Sequence, residues 1–180
     1  MSSRNSRDRI LDTALDLITK RGEADATMAE IAAASGVSRQ AVYLHFADRA
    51  ALMLALVRHV DEKRGLENEL RKIHEAPNAI TALGEMVALQ ARMNPKVWAV
   101  ARAMDAVRRT DEAAERGWQD RLKHRLEGCQ QVVGQLAKEG RLRPEVGPSV
   151  AADLLWTITS LRMWEDLVLQ RGWSAKRYKR

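Results

Sequence analysis

The 180-residue chain is basic, with a formal net charge of +6, and it contains one cysteine, Cys129. A single cysteine excludes internal disulfides and a metal site built from cysteines. No apolar run approaches the ~18 residues that a membrane-spanning helix needs, and no signal peptide is recognisable, so we expect a cytoplasmic protein. The histidines, at 45, 59, 74 and 124, stand singly. No cluster of residues suited to catalysis or metal binding is therefore recognisable, and the sequence predicts neither an enzyme nor a cofactor site.

The first predicted helix covers residues 7–22, RDRILDTALDLITKRG. Ile10, Ala14, Leu17 and Ile18 recur there at helical spacing and form one apolar face. This helix must therefore pack against another element along that face.

Residues 27–49, TMAEIAAASGVSRQAVYLHFADR, predict two short helices joined by a glycine turn. Thr27 and Glu30 have the spacing of a capping box, which marks the start of the first helix. Gly36 can adopt positive φ at little cost and turn the chain sharply. The inner side of this first helix is expected to carry Met28, Ile31 and Ala32.

Ser38 is the predicted N-cap of the second helix, with Val42 and Phe46 on its inner side. Its outward residues are Arg39, Gln40, Tyr43 and His45. In a helix-turn-helix the second helix enters the major groove of DNA, where such side chains meet base edges and phosphates. The alternative is an ordinary helical corner, which is common in all-α proteins.

This pattern resembles the DNA-binding domain of the TetR family of bacterial repressors. The matching elements are Thr27, Ile31–Ala32, Gly36–Val37–Ser38, Val42–Tyr43–Leu44–His45–Phe46 and Arg49. The resemblance is detailed over residues 7–56 and architectural beyond them. It implies an all-α fold: a three-helix DNA-binding domain, residues 1–50, joined by a long helix to a helical ligand-binding and dimerisation domain, residues 51–180.

Sequence readout is assigned to Arg39 and Gln40. Arginine pairs bidentately with guanine and glutamine with adenine, each pair discriminating by about 1–3 kcal/mol. The family resemblance implies phosphate and groove-wall contacts by Thr27, Ser38, Tyr43, His45 and Arg49, which position the protein without specifying sequence. A half-buried structural histidine is the alternative for His45. Many relatives carry Thr or Ser at the position of Ala41, so a hydroxyl that often contacts phosphate is missing here.

The positive charge is not concentrated in the predicted DNA-binding domain. Residues 1–50 hold seven Lys or Arg and seven Asp or Glu, and the excess lies C-terminally. Two accounts follow: Arg4, Arg7 and Arg9 face phosphate while Asp12 and Asp16 face away, or DNA binding depends only modestly on salt. The basic tail, Lys176, Arg177, Lys179 and Arg180, is expected to be a solvated terminus.

The remaining residues are predicted to be helical throughout. Asp48 caps a helix that links the domains and extends to His74, with a weak point at Gly65. Further helices are expected to begin at Asn78, at Pro95 as a first-turn residue, and at Asp111, the last of them ending before Gly140.

Pro148 and Ser149 open the most apolar helix, which carries no charge between Asp153 and Arg162. A helix without a charged face for over two turns is usually covered on both sides. We therefore predict a homodimer built from residues 111–139 and 149–171, and the resemblance implies the same, since similar repressors dimerise through their last two long helices. Two recognition helices must then lie about 34–36 Å apart to grip a pseudo-palindromic operator.

Methionine and tryptophan side chains recur through the helical body, and such side chains frequently line apolar cavities. Ordinary core packing is the alternative. The resemblance implies a pocket, because the family's C-terminal domain binds a small inducer. The residues assigned to it are Met86, Gln90, Met93, Trp98, Met104, Trp118, Cys129, Trp156, Thr159 and Met163. Cys129 is expected to be a buried, inert thiol, since only His124 and Arg125 lie near enough to lower its pKa.

Three functions remain open on the sequence. The favoured one is a ligand-responsive DNA-binding regulator, a repressor if its operator overlaps a promoter, that a small and largely apolar inducer releases from DNA. The second is a DNA-binding regulator controlled by a protein partner or by no effector. A helical enzyme or carrier is the remote third, because no nucleophile–base pair or metal cluster is visible.

Overall fold

The computed structural model describes residues 3–21 and 26–179, and within α1 it describes the side chains of residues 6–19 only. These residues form helices and connections without a strand, which confirms the predicted all-α class. No helix of the described chain is long and apolar enough to cross a membrane. Arg180 and the side chain of Arg4 lie outside the described part.

Two compact units divide the chain, and they do not follow sequence order. The first comprises Met1–Arg64 and Val97–Asp120, and the second comprises Gly65–Lys96 and Arg121–Arg180. The first unit thus extends past residue 50 and includes a later segment. The functional division at residues 50 and 51 stays a prediction.

The N-terminal helices of the first unit enclose an apolar core. They are α1 (Ser3–Arg21), α2 (Met28–Ser35), α3 (Arg39–His45) and α4 (Arg49–Lys63). Helix α1 contacts each of the other three. Its Ile10, Ala14 and Ile18 are buried and Leu17 packs against the core, so the predicted apolar face is confirmed.

The chain breaks at Gly65 between α4 and α5 (Leu66–His74). Gly65 has φ +69°, a left-handed conformation that no helix interior contains. The prediction of one helix from Asp48 to His74 was therefore wrong, because the weak point at Gly65 is a complete stop.

Helix α6 (Ala79–Arg108) runs through Pro95 without interruption. Asn78 caps it, its Oδ1 accepting from the Thr81 amide at 2.9 Å, as predicted. The prediction of a separate helix beginning at Pro95 was wrong. Pro95 itself is exposed, whereas the preceding Met93 and Asn94 are buried. Burial of such side chains keeps the helical course although a proline in a helix interior costs about 3 kcal/mol.

Helix α7 (Glu112–Lys138) begins and ends as predicted. Asp111 Oδ1 accepts from the Ala114 amide at 2.9 Å, and Gly140 follows the helix with φ +66°. Cys129, Val133 and Leu136 are buried, so the C-terminal half of the helix packs inward along this face.

The last helical region is more broken than the sequence predicts. It contains α8 (Pro148–Ile158), α9 (Leu161–Trp164), a π-helix (Glu165–Gln170) and α10 (Ala175–Tyr178). Thr159 donates its hydroxyl to the Leu155 carbonyl at 2.6 Å, and Ser160 Oγ accepts from the Met163 amide at 3.1 Å. These side-chain oxygens form hydrogen bonds with backbone groups, and such bonds compete with those of a continuous helix. This accounts for the break after Ile158.

Candidate nucleic-acid interface

The start of α2 and its exit turn are held by local interactions. Thr27 Oγ1 accepts from the Glu30 amide at 3.2 Å, and the Thr27 amide donates to Glu30 Oε2 at 2.9 Å. These two bonds complete the predicted capping box. Gly36 follows with φ +65°, and its amide bonds the last turn of α2. The sharp turn of a helix-turn-helix is thus confirmed.

Both ends of α3 are equally well defined. Ser38 Oγ accepts from the Ala41 amide at 3.1 Å, and Phe46 ends the helix by donating its amide to the Val42 carbonyl at 2.9 Å. Val42 and Phe46 are buried in the core of the first unit. Asp48 then caps α4, with Oδ1 accepting from the Ala51 amide at 2.7 Å. The short helix is therefore anchored in the core of the first unit through its inner face.

The outer face of α3 displays the residues assigned to DNA contact. Arg39 and Gln40 are exposed, and Tyr43 exposes 46% of its surface. His45 is half-buried, with its ring centroid 6.2 Å from that of Phe46. This placement suits both readings of His45, as a groove-wall contact and as a structural histidine. Arg49 is half-buried at the start of α4.

The two capping hydroxyls differ in what they can still donate. Thr27 Oγ1 lies 3.0 Å from Glu30 Oε2 and donates its proton there. The hydroxyl proton of Ser38 has no such partner among the described residues. Both side chains are exposed, but only Ser38 keeps a free hydroxyl donor for a phosphate oxygen.

Sequence reasoning missed Leu44, which exposes 80% of its surface beside Tyr43. An exposed leucine on this face is apolar where its neighbours are polar, and the methyl group of thymine is the apolar feature of the major groove. The signal was present in the sequence, because Leu44 falls between the inner residues Val42 and Phe46 and therefore points outward.

Internal pairing reduces the effective negative charge of α1. Asp12 Oδ1 lies 2.7 Å from His59 Nε2 and also accepts from Lys63 Nζ on α4. Burial raises the pKa of Asp12, but hydrogen bonds from His59 and Lys63 outweigh this and hold the pKa below its ordinary value. Arg7 is exposed on the same helix, with its guanidinium 5.4 Å from the Phe46 ring centroid. The formal neutrality of residues 1–50 thus includes a carboxylate that already pairs with the Lys63 ammonium group.

The residues assigned to the ligand pocket are distributed over both units. Trp98, Met104 and Trp118 belong to the first unit, where Met104 is part of the hydrophobic core and Trp118 packs against it. The second unit holds Met86, Gln90, Met93, Cys129, Trp156, Thr159 and Met163. Within it, Cys129 Sγ lies 4.0 Å from Met86 Sδ.

A half-buried cation lies among these residues of the second unit and was not assigned from the sequence. Arg125 donates through Nη1 to the Trp156 carbonyl at 2.7 Å and to Thr159 Oγ1 at 3.3 Å. Its guanidinium lies 4.5 Å from the Trp156 ring centroid. Burial raises the pKa of Cys129, against the opposing effects of Arg125 and a hydrogen bond from Thr159. Cys129 is thus buried, as predicted, and its thiol is protonated near neutral pH.

The family model for bacterial regulatory proteins of the tetR family matches residues 10–56. The HTH-type transcriptional regulator TtgR of Pseudomonas putida is 33% identical over 84 residues, which cover 47% of this chain and 39% of TtgR. The HTH-type transcriptional regulator AcrR of Shigella flexneri is 42% identical over 50 residues, 28% of this chain and 23% of AcrR. The matched stretch therefore spans well under half the length of these curated relatives.

Solved structures share the fold over nearly the whole chain. A Rhodococcus sp. protein assigned to the TetR family of transcriptional regulators superposes with a TM-score of 0.76 at 18% identity, covering 97% of this chain and 93% of that one. A Clostridium perfringens protein described as a fatty acid metabolism regulator gives 0.71 at 16% identity, covering 95% and 92%. With the capped helix-turn-helix, the match over residues 10–56 identifies this segment as a helix-turn-helix domain of the tetR family of bacterial regulatory proteins, in a chain that shares the fold of these solved structures.

Proposed function

We propose that this protein is a transcriptional regulator, not an enzyme, that binds duplex DNA with α3 in the major groove. The observation that carries the proposal is the exposed face of α3. It presents Arg39, Gln40 and Tyr43 on a short helix whose inner face is anchored in the core. Polar side chains presented on a well-supported helix are what base readout requires. A bacterial DNA partner places the protein in the cytoplasm.

Leu44 adds an apolar contact to this readout. Its 80% exposure leaves the side chain free to meet a thymine methyl group, beside the guanine and adenine edges that Arg39 and Gln40 recognise. The operator half-site is thus expected to contain a thymine close to the base pairs read by Arg39 and Gln40.

The regulator acts as a homodimer on a pseudo-palindromic operator. Along α8, Val150, Leu154 and Ile158 follow at intervals of four residues and expose 57%, 56% and 51% of their surfaces. Exposed apolar surface gains about 25 cal/mol for each Å² that is covered, so a continuous row of this kind favours a partner. A second copy supplies the same row by two-fold symmetry, and it also supplies the second recognition helix.

Ile158→Glu tests this dimer. A charge within an apolar interface is left without a partner, so sedimentation at micromolar concentration should show a monomer. Ser149→Glu is the control, because a carboxylate in the first turn of α8 suits the helix dipole. A dimer that survives Ile158→Glu contradicts the assignment of this face.

Release from DNA follows binding of a small ligand within the helical body, and the regulator is a repressor where its operator overlaps a promoter. The methionine and tryptophan side chains around Cys129 and Trp156 supply adaptable apolar surface. The ligand shifts the equilibrium between DNA-competent and released dimers by the difference in its affinity for the two.

Fluorescence anisotropy on labelled fragments flanking the protein's own gene, at fixed near-physiological salt, tests DNA recognition. Arg39→Ala should weaken binding to the fragment of highest affinity about tenfold or more, because one bidentate pair discriminates by about 1–3 kcal/mol. Binding to unrelated DNA should weaken much less. Arg141→Ala is the matched control, since it also removes one exposed guanidinium. Equal effects of both substitutions on all DNA mean that binding is charge-driven and does not involve readout by α3.

A further inference from the structure

Arg125 is a half-buried cation without an acidic partner in the described part of the chain. It lies on α7 beside the end of α8, where its Nη1 donates to the Trp156 carbonyl at 2.7 Å and to Thr159 Oγ1 at 3.3 Å. A guanidinium has five N–H donors, and the Nε and Nη2 atoms make no hydrogen bond within the described residues. Most of its hydrogen-bonding capacity is therefore unused.

The end of a helix compensates this charge only in part. The Trp156 carbonyl belongs to the last turn of α8, which carries the partial negative charge of the helix dipole. A dipole end amounts to roughly half a charge, and burial still lowers the pKa of Arg125 from its ordinary value. A helix-capping role thus explains the Nη1 bonds and leaves the rest of the guanidinium unexplained.

Two further donors near Arg125 are also unpaired. Tyr178 is only 8% exposed, and its buried hydroxyl has no hydrogen-bond partner. The Trp156 indole Nε1 is likewise buried and unpartnered, although its ring lies directly beneath the guanidinium. Burial raises the pKa of Tyr178 while the nearby charge of Arg125 opposes this, so the hydroxyl is protonated near neutral pH. All three side chains offer N–H or O–H donors.

A ligand group that suits only donors must itself be an acceptor. An ionised carboxylate is acceptor-only, and it pairs with a guanidinium in a fork of two charge-assisted hydrogen bonds. The surroundings specify what the carboxylate is attached to: Cys129 lies one turn beyond Arg125 on α7, in contact with Met86, and both are buried. The remainder of the ligand is therefore apolar.

We infer that Arg125, Tyr178 and the Trp156 indole bind the carboxylate of an otherwise apolar monocarboxylic acid. This inference rests on the ligand response proposed above and names the chemical class of the effector. A charged head on an apolar body also suits a half-buried arginine that lies beside buried apolar side chains.

Octanoate and octan-1-ol test the inference, because they share a chain and differ in the carboxylate. Titration calorimetry on the full-length protein should give an affinity for octanoate at least tenfold higher than for octan-1-ol. Tyr178→Phe should lower the affinity for octanoate five- to tenfold and leave the affinity for octan-1-ol unchanged. The same variant should not lower the Tm of the free protein, because the hydroxyl that it removes has no partner to lose.

Arg125→Lys keeps the charge and loses the fork, so it should also reduce the preference for octanoate. Arg141→Lys, at an exposed site, is the matched control and should leave the preference unchanged. Equal affinities for octanoate and octan-1-ol, or octanoate binding that Tyr178→Phe does not weaken, overturn the inference.

Anisotropy on operator DNA, with and without octanoate, separates this site from the proposed function. Octanoate binding with the expected variant pattern supports the carboxylate site even where operator affinity does not change. That result contradicts the proposed ligand response and still supports the carboxylate site. If the protein shows no sequence-specific DNA binding, the proposed function is contradicted. Calorimetry still tests the carboxylate site in that case.

Discussion

The helix-turn-helix and the region after Gly147 are both built from short helical pieces, but their boundaries arise differently. In the first region each helix end has a nearby residue that causes it: Thr27, Gly36, Ser38 and Asp48. In the second, α8 stops inside an uncharged apolar run, and a π-helix follows soon after. Local hydrogen bonds thus define the recognition unit, whereas in the second region the local bonds of Thr159 and Ser160 act together with contacts from distant residues.

The difference suits the tasks proposed for the two regions. A recognition helix must present the same face to every operator, and α3 has only seven residues, too few to be stable without caps and a buried face. The body region has helix ends held by distant residues, such as Arg125 at the Trp156 carbonyl. A π-helix is often found at functional sites, which fits the ligand binding proposed for this region. Substitutions that alter one local signal at a time test this comparison.

Pro95→Ala is expected to have the largest effect, because Pro95 is a local stop signal that packing overrides in α6. Alanine restores an amide donor and removes a ring that crowds the preceding turn, so the free energy of unfolding should rise by about 2 kcal/mol, net of a smaller opposing effect through the unfolded chain. Urea unfolding measures it, with exposed Lys96→Ala as the control. Unchanged or reduced stability means that packing needs the local distortion that proline causes.

Gly36→Ala and Gly134→Ala should change stability in opposite directions. Gly36 has φ +65°, which an alanine adopts at a cost of about 1 kcal/mol or more. Gly134 lies within α7 with no atom within 4 Å of an added Cβ, so alanine should stabilise by up to about 1 kcal/mol. Denaturant unfolding of both variants measures the contrast. Equal effects contradict the view that Gly36 is a conformational requirement of the turn.

The smallest effect concerns Asp12, which joins α1 to α4 through His59 and Lys63. Its pKa is held below the ordinary 3.8, so its contribution to stability is present above that value and is lost as pH falls through the lower folded-state pKa. The stability advantage of the wild type over Asp12→Asn should therefore shrink between about pH 5 and pH 2. The side chain is 45% exposed, so the advantage is modest. An advantage that is constant across this range contradicts the ion pairing.

The features that could be predicted from the sequence are mostly those that depend on local hydrogen bonds. The capping box at Thr27, the turn at Gly36 and the cap at Asp111 could be predicted because a cap is a hydrogen bond between residues three apart. The break after Ile158 had a signal that was overlooked, since Ser160 is itself an N-cap residue. The continuity of α6 through Pro95 had none, because the burial of Met93 and Asn94 depends on tertiary packing and not on residue type and spacing.

The amino-acid sequence by itself determined the helix-turn-helix: which residues cap it, which face inward, and that Arg39, Gln40 and Tyr43 remain exposed. Its hydrogen bonds close within three or four residues, so residue type and spacing specify them. Only the tertiary structure decided that Met104 belongs to the core of the first unit and that the Arg125 guanidinium lies over the Trp156 ring. Those contacts join residues far apart in the chain, and helical periodicity indicates which face is buried but not which neighbour covers it.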